Sequence, residues 1–366
     1  GADINPSGLD LVMSVDEGIG GNDIITTGEG SDLVIGGAGS DSITVNNGNN
    51  LVLGDSGRII AASTDGPQLA GIPMTFGEIL TTADGIGGTD TITAGSGNDI
   101  LVGGTNDSVD NEETGDVDER IEIITAGEGN NIVLGDSGRI DFTRADREGG
   151  AGADTNPADI DLIESTSTTE FGGIDTINSG DGDDIIIGGR FGDTINARNG
   201  DNIVFGDSGQ IVAAEVDAPQ FAGQPITLGR VETIEDTDGG VDTITTLTGY
   251  DIVLGGHGGD TITVSLIAEP ENQSALAPDS GNIVFGDTGY IVYDNDGDPN
   301  DIDEIKSTST IPTLGVDANL DAVIVNVGGV DTINSGDGDD IIIGGRYGDT
   351  INARNGDNIV FGDSGQ

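Results

Sequence analysis

An acidic or amide side chain recurs at every ninth residue in much of this chain, and this period constrains the fold more than any other feature. In one stretch the marked positions are Asp175, Asp184, Asp193 and Asn202. The chain has twenty such positions (fourteen Asp, five Asn and one Glu), and the residue two places after each is Ile, Val or Leu. Glycine fills much of the remainder. This repeat predicts a solenoid in which three-residue strands alternate with glycine-rich turns.

The nonapeptides form five blocks of four, and the blocks repeat in pairs. Residues 172–210 return at 328–366 with changes only at Ile174/Val330 and Phe191/Tyr347, which indicates tandem duplication. The segments between blocks alternate between two types. We therefore divide the chain into a partial insertion (1–19), five blocks (20–58, 87–139, 172–210, 239–289 and 328–366) and four insertions (59–86, 140–171, 211–238 and 290–327). We expect the chain to be a window from a longer protein.

Each nonapeptide approximates G-G-x-G-x-D-x-U-x, where U is apolar. This sequence closely resembles the repeat of the RTX, or hemolysin-type, calcium-binding family. In that family two nonapeptides form one turn of a right-handed parallel β-roll, and calcium ions lie in the turns. The resemblance implies an all-β fold, a right-handed parallel β-roll or β-solenoid interrupted by β-hairpin-like insertions. It also implies an extracellular or cell-surface location, reached by type I secretion.

The resemblance further implies that the marked aspartates bind several calcium ions. Stacked strands lie about 4.8 Å apart, so carboxylates 18 residues apart become neighbours. Calcium takes six to eight oxygen ligands, both carboxylate and carbonyl. We expect the best sites at four pairs, Asp23 with Asp41, Asp175 with Asp193, Asp242 with Asp260, and Asp331 with Asp349. On the other edge Asp32, Asp184 and Asp340 face Asn50, Asn202 and Asn358, so weaker sites are expected there. The remaining candidate ligands are Asp90, Asp99 and Asp251.

The charge of the chain agrees with a need for cations. It contains 67 Asp and Glu against 11 Lys and Arg, a formal net charge of -56. This charge repels phosphates and so argues against nucleic acid and anionic membrane surfaces as partners. No apolar run is long enough for a membrane helix, so no membrane insertion is expected. Cysteine is absent, which excludes disulfides and thiolate metal sites.

A second group of aspartates has two possible roles. The last nonapeptide of each block ends in Gly-Asp instead of Gly-Gly, at Asp55, Asp136, Asp207, Asp287 and Asp363. These aspartates are either additional ligands or caps of the stack.

The two faces of the predicted roll differ. The residues flanking U in the odd nonapeptides are mostly Thr and Asn, with Ile24 and Ile123 as exceptions, whereas all twenty in the even nonapeptides are apolar. A sheet that is apolar on both sides is buried on both sides. The cover is either the chain's own insertions, several of which are predicted hairpins, or a neighbouring copy. We favour the insertions.

No enzyme motif occurs. The chain has no H-E-x-x-H, G-x-S-x-G or P-loop sequence, and its one histidine, His257, lies in a repeat turn. We therefore expect a calcium-dependent structural region of a long secreted or cell-surface protein: a filament, matrix, surface layer or adhesin stalk. Further copies of the repeat are its expected partners. The alternative is a secretion and folding module of an RTX toxin or hydrolase. Ice binding by the Thr-rich face is a third hypothesis, disfavoured because the rows are interrupted between blocks and because mixed Thr and Asn spacing fits a flat ice lattice poorly.

Overall fold

The computed structural model describes residues 8–64, 66, 72–105, 121–144, 156–166, 171–216, 219–237, 239–264, 281–309, 313–316, 322–325 and 328–365. The second and fourth blocks each contain extra residues between two of their nonapeptides, and these residues, within 106–120 and 265–280, lie outside the described part of the chain. The described residues form β-strands, turns and loops. None of them belongs to a helix long and apolar enough to cross a membrane.

The strands are mostly three to five residues long, because each nonapeptide offers only the residues around U before the next glycine turn. In chain order they are β1 (Leu11–Met13), β2 (Ile24–Thr26), β3 (Leu33–Ile35), β4 (Ser42–Thr44), β5 (Leu51–Leu53), β6 (Gly57–Ala61), β7 (Phe76–Thr81), β8 (Thr91–Thr93), β9 (Ile100–Gly104), β10 (Ile121–Thr125), β11 (Ile132–Asp136), β12 (Gly138–Asp141), β13 (Leu162–Ser165), β14 (Ile174–Asn178), β15 (Ile185–Ile187), β16 (Thr194–Asn196), β17 (Ile203–Phe205), β18 (Gly209–Ala213), β19 (Leu228–Thr233), β20 (Thr243–Thr245), β21 (Ile252–Leu254), β22 (Thr261–Thr263), β23 (Ile283–Phe285), β24 (Gly289–Val292), β25 (Glu304–Ser307), β26 (Thr313–Val316), β27 (Ala322–Val325), β28 (Thr332–Gly336), β29 (Ile341–Ile343), β30 (Thr350–Ala353) and β31 (Ile359–Phe361).

Two parallel sheets of ten strands form the roll, which confirms the predicted fold class. The odd sheet contains the odd nonapeptides, in the order β2-β4-β8-β10-β14-β16-β20-β22-β28-β30. The even sheet contains the even nonapeptides, in the order β3-β5-β9-β11-β15-β17-β21-β23-β29-β31. Their strands pair in register, so that U aligns with U at every step, as Ile177 does with Ile195 and Ile186 with Val204.

The U side chains fill the space between these two sheets. Seventeen of the twenty are buried, and the three exceptions are Ile25, Ile351 and Val360 in the first and last turns of the described roll. Because both sheets contribute one branched aliphatic side chain per strand, the interior is a narrow double column of Ile, Val and Leu.

The insertions build a third sheet, which we call the cover sheet. It is antiparallel, with the order β1-β6-β7-β12-β13-β18-β19-β24-β25. The predicted hairpins are present as β6–β7 and β12–β13. Strands from different insertions also pair, as β7 does with β12 and β13 with β18, so the hairpins form one continuous sheet. A separate antiparallel pair, β26–β27, completes the described strands.

The cover sheet buries the apolar outer face of the even sheet. Leu53, Phe205 and Phe285 from the even strands belong to one core cluster with Ile79 and Ile211 of the cover sheet, and all five are fully buried. The insertions of the chain itself therefore cover the apolar sheet, as favoured from the sequence. At the last strand the side chains of Ile359 and Phe361 are exposed by 54% and 38%, so the cover stops short of β31.

The outer face of the odd sheet is polar and mostly exposed. Its two outward rows contain thirteen Thr, four Asn, one Ser and two Ile, and no charged residue. The prediction that these rows are interrupted between blocks was wrong. Strands on either side of an insertion pair in register, as Ser42 does with Thr91 and Thr194 with Thr243. The insertions leave at the turns and return to the next position of the stack.

We expect the stability of the roll to depend on side chains of the covered face and little on those of the exposed face. We expect Phe205→Ala to lower the free energy of unfolding in calcium by about 3–5 kcal/mol, because it removes a fully buried ring between the even and cover sheets. Thr194→Ala, on the exposed face of the odd sheet, should change it by less than about 0.5 kcal/mol. Urea unfolding followed by circular dichroism measures both. Equal effects would contradict burial by the cover sheet.

Candidate metal centre

One edge of the roll carries a column of carboxylates, which we call the carboxylate edge. Each of its marked side chains precedes a strand of the odd sheet, where the chain turns in from the even sheet. Since the odd strands pair in register, the side chains stack one per turn. They are Asp23, Asp41, Asp90, Glu122, Asp175, Asp193, Asp242, Asp260, Asp331 and Asp349.

Hydrogen bonds from the main chain hold these carboxylates in the column. The N–H of Asp175 donates to Oδ1 of Asp193 (2.8 Å), and the N–H of Asp193 donates to Oδ1 of Asp242 (2.7 Å). The structure likewise brings together the other three pairs expected from the sequence. They are Asp23 with Asp41 (2.7 Å), Asp242 with Asp260 (2.9 Å) and Asp331 with Asp349 (3.0 Å).

The column also continues across the insertions, which the sequence reasoning did not foresee. The N–H of Asp41 donates to Oδ1 of Asp90 (2.7 Å), and that of Asp260 donates to Oδ1 of Asp331 (2.7 Å). These partners are 49 and 71 residues apart in the chain. The step of nine restarts after each insertion, and every block begins with an odd nonapeptide, which is the sequence signal for the contact.

The second oxygen of these carboxylates lacks a hydrogen bond in the described structure. This holds for buried Oδ2 atoms of Asp41, Asp90, Asp193, Asp242, Asp260, Asp331 and Asp349. Each Oδ2 faces the first glycine that follows an even strand. A Cβ added at Gly54 would collide with both Oδ2 of Asp90 and the carbonyl oxygen of Gly103. The same holds at Gly206, between Asp242 and Gly255. Only glycine leaves room for this cluster of oxygens.

Glu122 is a member of this column that sequence reasoning omitted from the candidate ligands. It is fully buried, and both its carboxylate oxygens lack hydrogen-bond partners in the described structure. One of them lies against Gly103 and the carbonyl of Gly135. Its position two residues before the apolar Ile124 was the available signal, which its different residue type obscured.

Burial raises the pKa of several of these carboxylates, and repulsion between them adds to the rise. Burial raises the pKa of Asp90 to about 8, with a further contribution from the negative charge of Asp41. Burial likewise raises the pKa of Asp242 to about 8, and of Asp331 to about 8 with added repulsion from Asp287 and Asp349. The pKa of Asp193 is also raised, and burial is again the largest cause of the rise, followed by the negative charges of Asp175 and Asp242. A stack of like charges therefore needs protons or cations to remain folded.

The oxygens of this edge fit a calcium ion. Within the described residues, no group of three or more carboxylate or imidazole side chains is arranged to hold a metal ion by itself. Main-chain carbonyls must therefore complete any ligand set. Calcium accepts this mixture of carboxylate and carbonyl oxygens in flexible geometry, whereas magnesium prefers water and a strict octahedron. Orphaned carboxylate oxygens beside glycine carbonyls meet that requirement.

The opposite edge, which we call the amide edge, has a different composition. Its marked residues alternate strictly between Asp and Asn, in the order Asp32, Asn50, Asp99, Asn131, Asp184, Asn202, Asp251, Asn282, Asp340 and Asn358. The main-chain ladder is the same, with the N–H of Asn202 donating to Oδ1 of Asp251 (3.1 Å). Carboxylates on this edge are two strand spacings apart, about 10 Å, so their repulsion is weaker.

On the amide edge, amide and hydroxyl groups donate hydrogen bonds to carboxylate oxygens, and these bonds need no metal ion. Nδ2 of Asn202 donates to Oδ1 of Asp251 (2.9 Å), and the hydroxyl of Thr246 donates to its Oδ2 (2.6 Å). Ser335 donates to Oδ2 of Asp340 in the same way (2.6 Å). The Oδ2 atoms of Asp32, Asp99 and Asp184 have no hydrogen-bond partner in the described structure. Burial raises the pKa of Asp99 to about 6, and hydrogen bonds from Asn50 oppose this rise, whereas burial raises the pKa of Asp184 on the same edge to about 8.

The Gly-Asp aspartates act as clamps on the main chain. Oδ1 and Oδ2 of Asp136 accept the N–H groups of Gly173 (2.8 Å) and Arg190 (2.6 Å), from the first and third nonapeptides of the next block. Two further aspartates repeat this arrangement, Asp207 with Gly240 and His257, and Asp287 with Gly329 and Arg346. Asp55 accepts the N–H of Thr105 (2.5 Å). Their oxygens are used by the next block, so these residues join consecutive blocks across an insertion.

The raised pKa values give the calcium-free fold a defined pH dependence. An unfolded Asp titrates near 3.9, whereas folded Asp90, Asp242 and Asp331 titrate at about 8. The folded chain therefore binds more protons between these values, and its stability falls as pH rises from about 4 to about 8. We expect the urea midpoint in chelator to decrease from pH 5 to pH 8, measured by circular dichroism. A midpoint that increases over this range would contradict the buried column.

A comparison with family models gives an independent assignment. The RTX calcium-binding nonapeptide repeat matches residues 17–57, 84–110, 118–139, 172–210, 236–265 and 334–366, which together make up just over half of the chain. No curated protein and no solved structure matches the chain. The matched residues include members of both edges in each of the five blocks, and they leave out Asn282 and Asp331. The chain therefore belongs to the RTX calcium-binding nonapeptide-repeat family, and its repeats bind calcium ions.

Proposed function

We propose that this chain is a calcium-dependent structural region of a long secreted or cell-surface protein, and that it folds when it binds calcium outside the cell. The carboxylate edge carries this proposal, since one uninterrupted column of carboxylates, eight of its ten side chains buried, runs through all five blocks. Proteins with these repeats are typically secreted, and the family is a structural, calcium-binding one. A filament, matrix, surface layer or adhesin stalk would use such a region as a rod.

We assign the calcium ions to the carboxylate edge. The ligands there are the Oδ2 atoms of its aspartates, both oxygens of Glu122, and the facing glycine carbonyls. The amide edge is the weaker candidate, because Asn side chains halve its charge and donate hydrogen bonds to its aspartates. Calcium bound at one edge supplies the positive charge that the column needs and stiffens the turns it joins.

Calcium binding and folding are coupled in this proposal. At low calcium concentration the chain, with a net charge of -56, repels itself and remains unfolded. Millimolar calcium outside the cell suits sites with dissociation constants of about 10⁻⁴–10⁻³ M. Because the ions bind only the stacked turns, their binding free energy stabilises the fold. Contacts between neighbouring turns then extend the fold along the chain.

Two observations support a structural role over a module appended to a toxin or hydrolase. The cover sheet is continuous across four insertions, and one block returns almost unchanged, at 172–210 and 328–366, so the region extends by addition of similar units. Partners in this role are further copies of the repeat, in end-to-end or lateral contact. A coding sequence that continues in tandem block pairs would support the structural role, and a single neighbouring catalytic domain would support the alternative.

Ice binding is a second candidate, favoured by the uninterrupted Thr and Asn rows of the odd sheet. These rows run along ten strands, are free of charge, and align in register across the insertions. A thermal-hysteresis assay on calcium-loaded protein tests it. Ice crystals that grow as in buffer would remove this candidate and leave the structural role unaffected.

Calcium titration provides the direct test of folding. We expect far-UV circular dichroism to change from coil to β-structure as calcium is added, and magnesium at the same concentration to produce little change. Sedimentation of the same samples reports whether the folded chains associate. If β-structure persisted unchanged in chelator at pH 8, the carboxylates would be turn residues and the coupling would be wrong.

Matched substitutions on the two edges distinguish their roles. Asp193→Asn keeps an oxygen that accepts the N–H of Asp175 but removes a charge from the column. We expect it to weaken calcium binding, so that a higher calcium concentration is needed to fold half of the chain, as measured by circular dichroism. Asp251→Asn, on the amide edge, keeps its acceptor for Asn202 and should shift calcium affinity less than about twofold.

Isothermal titration calorimetry of both variants measures the number and affinity of the ions. The assignment to the carboxylate edge would be wrong if Asp251→Asn removed as much calcium as Asp193→Asn. Circular dichroism in saturating calcium confirms that each variant remains folded before the comparison is made.

A further inference from the structure

Two cavities open at the amide edge, where the cover sheet meets the even sheet. The first, of about 290 Å³, is lined by Ile132 of the even sheet, Phe142 at the end of β12, and Pro157 before β13. The second, of about 450 Å³, is lined by Tyr250, Tyr293 and Pro299. Both lie away from the carboxylate edge and are separate from the calcium column.

The two cavities occupy equivalent positions in successive pairs of blocks. The sequence PADIDLI at 157–163 corresponds to PNDIDEI at 299–305, and GDSGRIDF at 135–142 corresponds to GDTGYIVY at 286–293. The shared lining positions are Phe142 and Tyr293, Pro157 and Pro299, and Ile160 and Ile302. A cavity that recurs with the same apolar and aromatic lining belongs to the repeating unit.

The rim of the first cavity offers hydrogen-bond donors. Oδ1 of Asn49 accepts the N–H of Asn98 (2.9 Å), and Oδ1 of Asn98 accepts the N–H of Asn130 (3.0 Å). The two side chains are fixed one strand apart by these bonds. The Nδ2 groups of Asn49 and Asn98 donate to no described residue, and both side chains are exposed.

The rim of the second cavity offers hydrogen-bond acceptors. Asp201 takes the position of Asn49, and its Oδ1 accepts the N–H of Tyr250 (2.8 Å). Exposed Asp301 also lines this cavity. Carboxylates accept hydrogen bonds and cannot donate them when ionised, whereas the amide Nδ2 groups of the first cavity donate.

We propose that these cavities bind the sugar rings of a neutral polysaccharide. Hydroxyl groups can both donate and accept, so one ligand class satisfies the donor rim and the acceptor rim. The apolar and aromatic lining suits the C–H face of a pyranose. Anionic ligands are repelled by a chain of net charge -56, and the amide donors of the first cavity offer nothing to a cation.

The spacing of the cavities suits a polymeric ligand. Ile100, in the first cavity, and Ile252, beside Tyr250 of the second, are four strands apart in the even sheet. Four strand spacings correspond to about 19 Å. One polysaccharide chain lying along the amide edge can therefore enter successive cavities, and weak single contacts combine into tighter binding.

Calorimetric titration of the calcium-loaded full chain with cellohexaose and with maltohexaose tests this proposal, with an oligogalacturonate as the anionic comparison. We expect millimolar or tighter binding of at least one neutral hexasaccharide and none of the anionic one. The chain has four Tyr and no Trp, and two of the Tyr residues line the second cavity, so tyrosine fluorescence should change on binding.

A double variant, Asn49→Ala with Asn98→Ala, should weaken binding at least about fivefold, while the fluorescence change from the second cavity persists. Asn47→Ala is the matched control, because its Oδ1 accepts the N–H of Ser96 (2.9 Å) in the same way outside the cavity, and it should bind like the unmodified chain. No binding of either neutral probe, tighter binding of the anionic one, or equal loss in the control would overturn the proposal.

Circular dichroism in calcium, recorded first, separates this result from a failure of calcium-coupled folding. A chain that is folded in calcium but binds no neutral saccharide overturns only the cavity proposal.

Discussion

Repulsion between stacked carboxylates is the constraint on which the rest of this structure depends. The glycine turns place one acid above another, one per strand, through the whole roll, and all of them except Asp23 and Asp349 are buried. Such a column is unfavourable by itself, as the raised pKa values of Asp90 and Asp242 show. The aliphatic interior and the sheet hydrogen bonds favour stacking, and this edge opposes it. The stability of the roll is therefore controlled by whatever neutralises the edge, which for this family is calcium.

The cover sheet and the clamps between blocks stabilise a chain that has few other sources of stability. It has no disulfide, and only 3% of its residues are aromatic. The double column of U side chains is narrow, so the second apolar face of the even sheet matters as much as the interior. The cover sheet buries that face and builds the main hydrophobic cluster, which contains Phe205 and Phe285. Meanwhile the Gly-Asp clamps keep each insertion from displacing the next turn.

The periodic part of this architecture was predictable, and the irregular part was not. A step of nine fixes which residues stack, so the contact of Asp175 with Asp193 followed from the spacing. The residues that flank U in the even nonapeptides are all apolar, and this pattern indicated a covered sheet. The pairing of β1 with β6 joins residues from different insertions, for which the sequence offers no repeat signal. Glu122 was placed in the repeat by its spacing but was left out of the candidate ligands, because it is the one Glu among the marked residues. The role of Asp136 depends on N–H groups 37 and 54 residues away, which only the folded chain brings together.

The continuity of the cover sheet has a mechanical consequence. At most levels of the rod, hydrogen bonds along the long axis are made in three sheets side by side, two parallel and one antiparallel. Tension applied along the axis is therefore shared among the three, and an insertion point, where a single-sheet solenoid would tear, is bridged by the cover strands. We expect such a rod to unfold one level at a time, where a level is one turn of the roll with its cover strand. The number of levels then sets how far the rod can extend, and the weakest level sets the force that it withstands.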